Sequence, residues 1–314
     1  MRSEVLAQLA AGPGGAVFAV LLGLLWGSFA NVCIYRWPPS EGFPRGRSVV
    51  LPPSHCFACQ TPIRWYDNLP LVAYLWLRGR CRACGVRFSA RYLIVEALTG
   101  ALFGVAWWTT LGAGVTGATL ASALLLFTIA AAFCFVMVVV TFIDLDHRLI
   151  LDRVTLPSVV IFAIASLAWP GGAWWSGLVG AAVGYGVIWL VAEVYYRLTG
   201  REGMGLGDAK LLAVIGALLG WRGVLAALSV GSLLGSVIGV TVLVIARRRA
   251  PVAAPEVAPS APVDGDAPAD GDPAEPAPGL RHAELPFGPF LAAAAVLYLF
   301  AEPWLVANFH LLRL

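Results

Sequence analysis

Long apolar stretches set the strongest constraint on what this chain can fold into. Each approaches or exceeds the roughly 20 residues that an α-helix needs to cross a bilayer. Inside lipid, backbone N–H and C=O groups must bond to one another, so lipid-exposed irregular chain is excluded there. The stretches lie near residues 14–35, 93–112, 118–143, 154–170, 174–197, 209–246 and 287–309. The sequence therefore predicts an all-α fold, a polytopic bundle of membrane-spanning helices.

The stretch at 209–246 is too long for one crossing. The segment Gly220-Trp221-Arg222-Gly223 offers a place to break it, which gives about eight spans, the sixth of them short. The composition fits a membrane protein, since only 12% of the residues are charged against about 25% in a soluble domain. The first apolar stretch has no clear small-residue cleavage site after it, so we expect a retained span and no removed signal peptide.

Basic residues are concentrated between Arg36 and Arg91, where the acidic residues are Glu41 and Asp67. Beside membrane spans, such a loop favours a cytoplasmic anchor over nucleic-acid binding. With this loop inside, the loops at 144–153, 197–210 and 247–249 also lie inside, and each carries basic residues. We therefore expect membrane lipid around the bundle and no nucleic-acid partner.

The apolar pattern divides the chain into segments of different character. We expect a first span at 1–35, a cytoplasmic tetracysteine loop at 36–92 and a transmembrane core at 93–249. Residues 250–284 are rich in Pro, Ala and acids and contain no aromatic residue, which predicts a disordered linker. The last span and the carboxyl terminus occupy 285–314.

Four cysteines form two C-x-x-C pairs, Cys56 with Cys59 and Cys81 with Cys84. Two such pairs supply the four soft thiolate ligands that a tetrahedral zinc site requires. Because cysteine fills all four positions, the zinc would be structural and not catalytic. A redox-active or vestigial pair of motifs is the alternative. The other two cysteines, Cys33 and Cys134, lie in apolar stretches and are interpreted as small hydrophobic residues.

Two carboxylates stand at the ends of apolar stretches, Asp144 after residues 118–143 and Asp208 before residues 209–246. Ionisable groups at membrane depth are costly and indicate a functional site. If the two side chains meet, they would share a proton, and the ionised member would activate a water for attack on a peptide carbonyl. Glycines before Asp208, Gly205 and Gly207 among them, would let the backbone lie close to an extended substrate.

Other polar residues near these acids have ordinary interpretations as well as functional ones. Asp146 and Asp152 read as solvated helix ends beside Arg148 and Arg153. Lys210, the single lysine, reads as an interfacial side chain whose stem lies along apolar surface. Together with Glu96, it is a secondary candidate for orienting the substrate or the acid pair. The segment from Gly27 to Asn31 reads as a helix-packing surface.

The sequence carries no motif of other common enzyme classes: it has no His-Glu-x-x-His motif of a zinc protease, no nucleophile elbow of a serine hydrolase and no phosphate-binding loop. A transporter is the main non-enzymatic alternative, since paired buried acids and glycine-broken helices also carry ions. A transporter, however, has no reason to carry a tetracysteine loop.

The order of these motifs resembles the type IV prepilin peptidases, which are bifunctional leader peptidases and N-methyltransferases of the membrane aspartic peptidase type with a Gly-x-Gly-Asp motif. The resemblance covers nearly the whole chain. Besides the four cysteines, it rests on Gly27-Ser28-Phe29-Ala30-Asn31-Val32, Tyr35-Arg36, Arg64-Trp65-Tyr66, Arg91-Tyr92 through Glu96, Ile143-Asp144-Leu145-Asp146-His147, Glu202-Gly203-Met204-Gly205-Leu206-Gly207-Asp208 with Lys210-Leu211-Leu212, and Pro286-Phe287-Gly288-Pro289.

The resemblance implies that Asp144 and Asp208 are the catalytic aspartates of a peptidase in the bacterial inner membrane. It implies cleavage of type IV prepilins or type II secretion pseudopilins after a glycine, on the cytoplasmic face. The new amino terminus would then be methylated with S-adenosylmethionine, although no residue pattern identifies the donor site. A peptidase without methylation is the nearer alternative.

Two positions depart from the family pattern. Leu151 stands before Asp152 where the family commonly has proline, and the linker at 250–284 is unusual.

Overall fold

The computed structural model describes residues 12–112, 119–170, 173–200, 205–249 and 286–308, with backbone alone for 246–249. Over these residues the fold is all-α, as the sequence predicts, apart from isolated bridges before Arg91. The helices are α1 (Pro13–Arg36), α2 (Val72–Trp76), α3 (Arg91–Trp107), α4 (Leu120–His147), α5 (Asp152–Ala165), α6 (Ser176–Thr199), α7 (Leu206–Arg249) and α8 (Gly288–Asn308). A 3₁₀ helix (Trp65–Asn68) precedes α2, and a π-helical turn (Trp108–Gly112) continues α3.

Six helices in the described part of the chain are long and apolar enough to cross a membrane: α1, α3 with its π-helical turn, α4, α6, α7 and α8. Large apolar side chains such as Phe18 and Leu21 on α1 are exposed, as expected of a surface that faces lipid. The 14 residues of α5 fall short of the predicted stretch 154–170. Pro170 disfavours helical backbone at the residue before it, which limits any extension of α5. The number of spans stays a prediction.

The backbone of α7 leaves the helical conformation at Gly220, inside the segment where the sequence predicts a break. Gly220 has φ +66° and ψ −174°, a conformation that glycine adopts without a steric penalty. Two helices therefore meet at a kink within α7. Residues 211–220 of the first half are all buried, whereas most of 231–245 is exposed or half-buried.

The first half of α7 is the centre of the bundle, with α5, α6 and α8 packed around it. The backbones of α6 and α7 approach most closely where Gly180 faces Gly216. A Cβ atom built on Gly180 would lie 2.1 Å from the Gly216 carbonyl oxygen. Small residues permit such close helix packing in membranes, and side chains larger than hydrogen do not fit here.

The helix α4 extends one turn past the predicted end of its apolar stretch. Its first turn is capped by the Thr119 hydroxyl, which accepts a hydrogen bond from the Ser122 N–H. At the other end, Arg148 has φ +52° and its N–H donates to the Asp144 carbonyl. Asp144 therefore lies inside the last turn of a helix and not after it.

The domain boundaries stay predictions. The linker predicted at 250–284 lies outside the described residues, as does Gly203 of the glycine-rich segment.

Candidate active site and metal centre

Three helix ends converge around Ile150, in the short loop between α4 and α5. Asp144 occupies the last turn of α4, Asp208 the first turn of α7, and Gly288 the first position of α8. A Cβ built on Gly207 would lie 3.1 Å from the Ile150 Cβ, and one built on Gly288 would lie 3.5 Å from its Cδ1. Residues far apart in sequence therefore form one small site.

Asp144 is the more deeply placed of the two predicted acids, with 5% of its surface exposed. Its Oδ2 atom is buried and has no hydrogen-bond partner among the described residues. Buried polar atoms of native proteins nearly always have a hydrogen-bond partner, so the space beside this oxygen suits a water or a polar group of a substrate. The start of α8 lies directly against it, because a Cβ on Gly288 would come within 2.5 Å of Oδ2.

Asp208 is half-buried and lies near enough to Asp144 for the two carboxylates to interact electrostatically. Two neighbouring carboxylates cannot both ionise comfortably, so such a pair holds a shared proton and titrates as a unit. An ionised and a protonated carboxyl side by side are the groups that activate water in aspartic proteases. The structure thus brings together the two residues that the sequence singled out, while their catalytic role stays a prediction.

The two other acids of the region are paired with cations. Arg91 of α3 forms an ion pair with Asp146, and it also donates to the Phe142 carbonyl at 3.1 Å. Lys210 lies 2.5 Å from the Asp152 carboxylate, which joins the starts of α7 and α5. These pairings agree with the ordinary interpretation of Asp146 and Asp152 as exposed helix-end residues.

The hydrogen bonds of Lys210 and Glu96 go to partners other than the acid pair. Lys210 follows Asp208 by two residues on α7, and its side chain binds Asp152 of α5. Lys210 can therefore affect the site by positioning α5. Glu96 of α3 accepts a hydrogen bond of 2.8 Å from the N–H of Leu71, in the tetracysteine loop at 36–92. Gly205 is exposed, and a Cβ built there would lie 4.0 Å from the Gly207 nitrogen, an ordinary contact.

The four cysteines lie in two loops of the same construction. In the first, the Cys56 N–H donates to the Thr61 carbonyl, and the Gln60 N–H donates back to Cys56. In the second, Cys81 pairs in the same way with Val86 and Gly85. The fifth residue of each loop, Gln60 or Gly85, has positive φ. Each loop therefore turns its two cysteines toward the other loop.

All four sulfur atoms lie within 4.8 Å of one another. Around a tetrahedral zinc with Zn–S bonds of about 2.3 Å, neighbouring sulfurs lie about 3.8 Å apart. The distances from Cys56 to Cys84 and from Cys59 to Cys81 are 3.8 and 3.9 Å. The cluster can therefore hold a metal ion, and its ligand set and spacing suit zinc.

The thiols differ in acidity. Hydrogen bonds with Thr61 lower the pKa of Cys59 to about 6, and hydrogen bonds from the Cys84 and Ala83 backbone lower the pKa of Cys81. At Cys84, a hydrogen bond with the Val86 backbone lowers the pKa. Burial and the neighbouring sulfurs outweigh this effect and raise the pKa of Cys84 to about 11. Metal binding requires all four as thiolates and therefore releases protons.

Sequence reasoning missed two contributors to the site. Gly288 was recognised within Pro286-Phe287-Gly288-Pro289, but nothing in that pattern placed it against Asp144. Arg91 was recognised within the segment Arg91-Tyr92 through Glu96, but nothing in that pattern paired it with Asp146. The signals that could have identified them are a glycine at the start of a span and an arginine directly before a span.

Comparison with known proteins supports the same assignment. Residues 21–110 match the family model of the bacterial peptidase A24 N-terminal domain, and residues 131–240 match that of the type IV leader peptidase family. A prepilin leader peptidase/N-methyltransferase of Myxococcus xanthus is 35% identical over an alignment that covers 94% of this chain and 92% of that protein. This chain belongs to the type IV leader peptidase family.

Other proteins named prepilin leader peptidase/N-methyltransferase are about as similar to this chain. The protein of Neisseria gonorrhoeae is 37% identical over 74% of this chain and 84% of its own length. That of Aeromonas hydrophila is 39% identical over 72% and 80%. No solved structure matches this chain significantly. The resemblance drawn from the motifs is thus confirmed, and both acids and all four cysteines lie within the matched regions.

Proposed function

We propose that this protein is a prepilin leader peptidase and N-methyltransferase. Its substrates would be type IV prepilins or type II secretion pseudopilins, cut after a glycine on the cytoplasmic face of the inner membrane. The observation that carries the proposal is the meeting of Asp144 and Asp208 at three converging helix ends, in a chain of this family. The basic loop between Arg36 and Arg91 supports the cytoplasmic orientation.

The geometry supports different chemical roles for the two carboxyl groups of Asp144 and Asp208. The ionised carboxylate takes a proton from a water as that water attacks the scissile carbonyl, and the protonated carboxyl hydrogen-bonds to the carbonyl oxygen. Asp144 presents a buried, unpartnered oxygen to this space, and the half-buried Asp208 approaches it from the start of α7. Because Arg91 and Lys210 are engaged by Asp146 and Asp152, their charges are partly neutralised beside the pair.

After cleavage the mature pilin has a free amino terminus, which would receive a methyl group from S-adenosylmethionine. The tetracysteine loop, held by structural zinc, is part of the machinery that we assign to this second step. Zinc when bound fixes the two cysteine loops to each other, and the loop residues around it supply the contacts. A peptidase that lacks methylation would yield the same cleaved pilin with an unmodified amine.

The test is cleavage of a prepilin by membranes that contain the wild type, Asp144→Asn or Asp208→Asn. Asparagine keeps the shape of the side chain but cannot share a proton or activate water. We expect each variant to lose cleavage by at least about 10³-fold, while the protein still accumulates in the membrane. Mass spectrometry of the mature pilin detects the added methyl group.

Matched controls are Asp146→Asn and Glu193→Gln. Asp146 forms its ion pair with Arg91 near the site, and Glu193 pairs with Arg197 on the exposed face of α6. Both controls should retain most cleavage. Near-normal cutting by either Asp144→Asn or Asp208→Asn would exclude the pair and direct attention to Asp146 or Asp152.

A further inference from the structure

A cavity of about 250 Å³ lies between the tetracysteine loop at 36–92 and the helices α1 and α3. Its walls come from α1, from the start of α3, and from both sides of the cysteine loops. Aromatic, acidic and basic side chains face it together, which distinguishes it from the apolar groove between α7 and α8. The residues that matter for its chemistry are Arg36, Phe57, Arg80, Phe88, Tyr92 and Glu96.

Three aromatic rings form one wall of the cavity. Phe88 lies edge-on to both Phe57 and Tyr92, with ring centroids 6.0 and 6.4 Å away. Phe57 lies within the first cysteine loop, and Phe88 follows the second. Metal bound by the cysteines would hold two of these rings in place. Because neighbouring rings stand nearly perpendicular, a heteroaromatic base can stack on the face of one ring and touch the edge of the next.

Glu96 lies one helical turn after Tyr92 on α3 and supplies a negative charge to the cavity. Its carboxylate is held by the Leu71 N–H at 2.8 Å and by the Ser28 hydroxyl, and 9% of the residue is exposed. In the described part of the chain it has no cationic partner. The other acid of the cavity, Asp67, is different, since Arg82 binds both of its oxygens at 2.6 and 2.8 Å. A buried carboxylate without a counter-ion favours a cationic ligand.

Arginines complete the set of charges. Arg36 and Arg80 both line the cavity, and Arg36 is 7% exposed, with one hydrogen bond to the Ser48 carbonyl. Guanidinium groups bind carboxylates through paired donors. The cavity therefore offers contacts for a planar base, a cation and a carboxylate within a single molecule.

We propose that this cavity is the binding site for the methyl donor, S-adenosylmethionine. The adenine stacks on the Phe57–Phe88–Tyr92 wall, the sulfonium faces Glu96, and the methionine carboxylate meets an arginine. The proposal rests on the methyltransferase activity of the proposed function. In the reaction, the lone pair of the pilin amine forms a C–N bond to the methyl group. The C–S bond breaks with its electrons on sulfur, the amine gives up a proton to solvent, and neutral S-adenosylhomocysteine remains.

The helices that line the cavity are bonded to the helix that carries Asp144. The Asn31 side chain of α1 donates to the Tyr92 carbonyl at 3.1 Å. The neighbour of Tyr92, Arg91, pairs with Asp146 in the same helical turn as Asp144. Arg91 thereby joins the cavity-lining start of α3 to the end of α4 that carries Asp144.

The size of the cavity agrees with partial enclosure of the donor. Ligand pockets commonly measure about 300–1,000 Å³, so a cavity of 250 Å³ does not surround the whole molecule. Part of the donor stays accessible, as methyl transfer to a large membrane substrate requires.

The experiment uses the purified full chain with its metal in detergent micelles. Equilibrium dialysis measures the Kd of S-adenosylmethionine and of S-adenosylhomocysteine for the wild type, Glu96→Gln, Phe88→Leu and the control Glu193→Gln. We expect Glu96→Gln to weaken binding of the cationic donor about tenfold and of the neutral product much less, because only the donor carries the sulfonium charge. Phe88→Leu should weaken both, and Glu193→Gln neither.

Equal weakening of donor and product by Glu96→Gln would assign Glu96 to loop structure and overturn its contact with the sulfonium. Unchanged binding in both cavity variants would overturn the site. A synthetic prepilin leader peptide provides a further arm, since its basic residues also suit Glu96. If this peptide binds the cavity and the donor does not compete with it, the proposal is wrong.

Prepilin cleavage by each preparation separates the possible failures. Cleavage with the predicted loss of donor binding supports both proposals. If the wild type cleaves but the cavity variants bind the donor normally, the present inference fails alone. If the wild type does not cleave prepilin, the proposed function fails.

Discussion

Gly288 shows how a residue without a side chain constrains the candidate active site. The first turn of α8 lies against the Asp144 carboxylate in the space that a side chain would fill. The sequence singled out Asp144 and Asp208, because charges at the ends of apolar stretches are visible in one dimension. It could not assign Gly288, since the contact depends on how α8 packs against α4, and no periodicity records that packing.

We expect Gly288→Ala to reduce prepilin cleavage by about a hundredfold. The added methyl group would come within 2.5 Å of Oδ2, and displacement of a reacting group by about 1 Å costs on this order. Initial rates with a purified prepilin measure the effect. The control is Gly14→Ala in the first turn of α1, where a Cβ meets no atom within 4 Å. Normal cleavage by Gly288→Ala would show that α8 does not position Asp144.

At the level of elements, the α6–α7 contact depends on glycine at Gly180 and Gly216. The sequence predicted both helices and the break at Gly220, because length and glycine content mark them. It did not predict which faces of α6 and α7 would meet, since nearly every position on them is apolar or small. Helix ends were also shifted: α4 continues past Asp144 to His147, where the αL conformation of Arg148 ends it.

Gly180→Ala should destabilise the protein by about 1–3 kcal/mol, the usual cost of overpacking. The new methyl group would lie 2.1 Å from the Gly216 carbonyl oxygen, so the two backbones would have to separate. Thermal unfolding in detergent measures the change as a lower Tm. Gly186→Ala on the same helix adds a methyl group to open space and should leave the Tm unchanged or slightly raised. Equal Tm values for the two variants would contradict the close contact.

For the whole molecule, the sequence predicted the membrane class, the all-α fold and the separate cysteine loop. These follow from composition and motif spacing, which need no knowledge of packing. It did not predict the cavity beside the loop, because the cavity forms only when α1, α3 and both cysteine loops pack together. The second half of α7 also presents an apolar surface. The sequence could not predict which way this surface faces, because the amount of apolar sequence carries no such information.

Metal analysis of the purified chain should find one zinc per molecule. Cys81→Ser should reduce that content strongly, because three thiolates and a hydroxyl bind zinc less tightly. Cys134→Ser is the control, since Cys134 is buried in α4 away from the other thiols. Zinc retained by Cys81→Ser, or absent from the wild type, would contradict the metal centre. Chelation should also expose the cysteine loops to protease, since the metal holds them together.

The contact between Gly288 and Asp144 also bears on biosynthesis. Chains are made and folded from the amino terminus, and Gly288 begins the last described helix. Asp144 and Asp208 enter the membrane well before the residue that closes the space beside Oδ2. The site is therefore completed only when α8 is inserted, and a chain whose synthesis has not reached α8 lacks it.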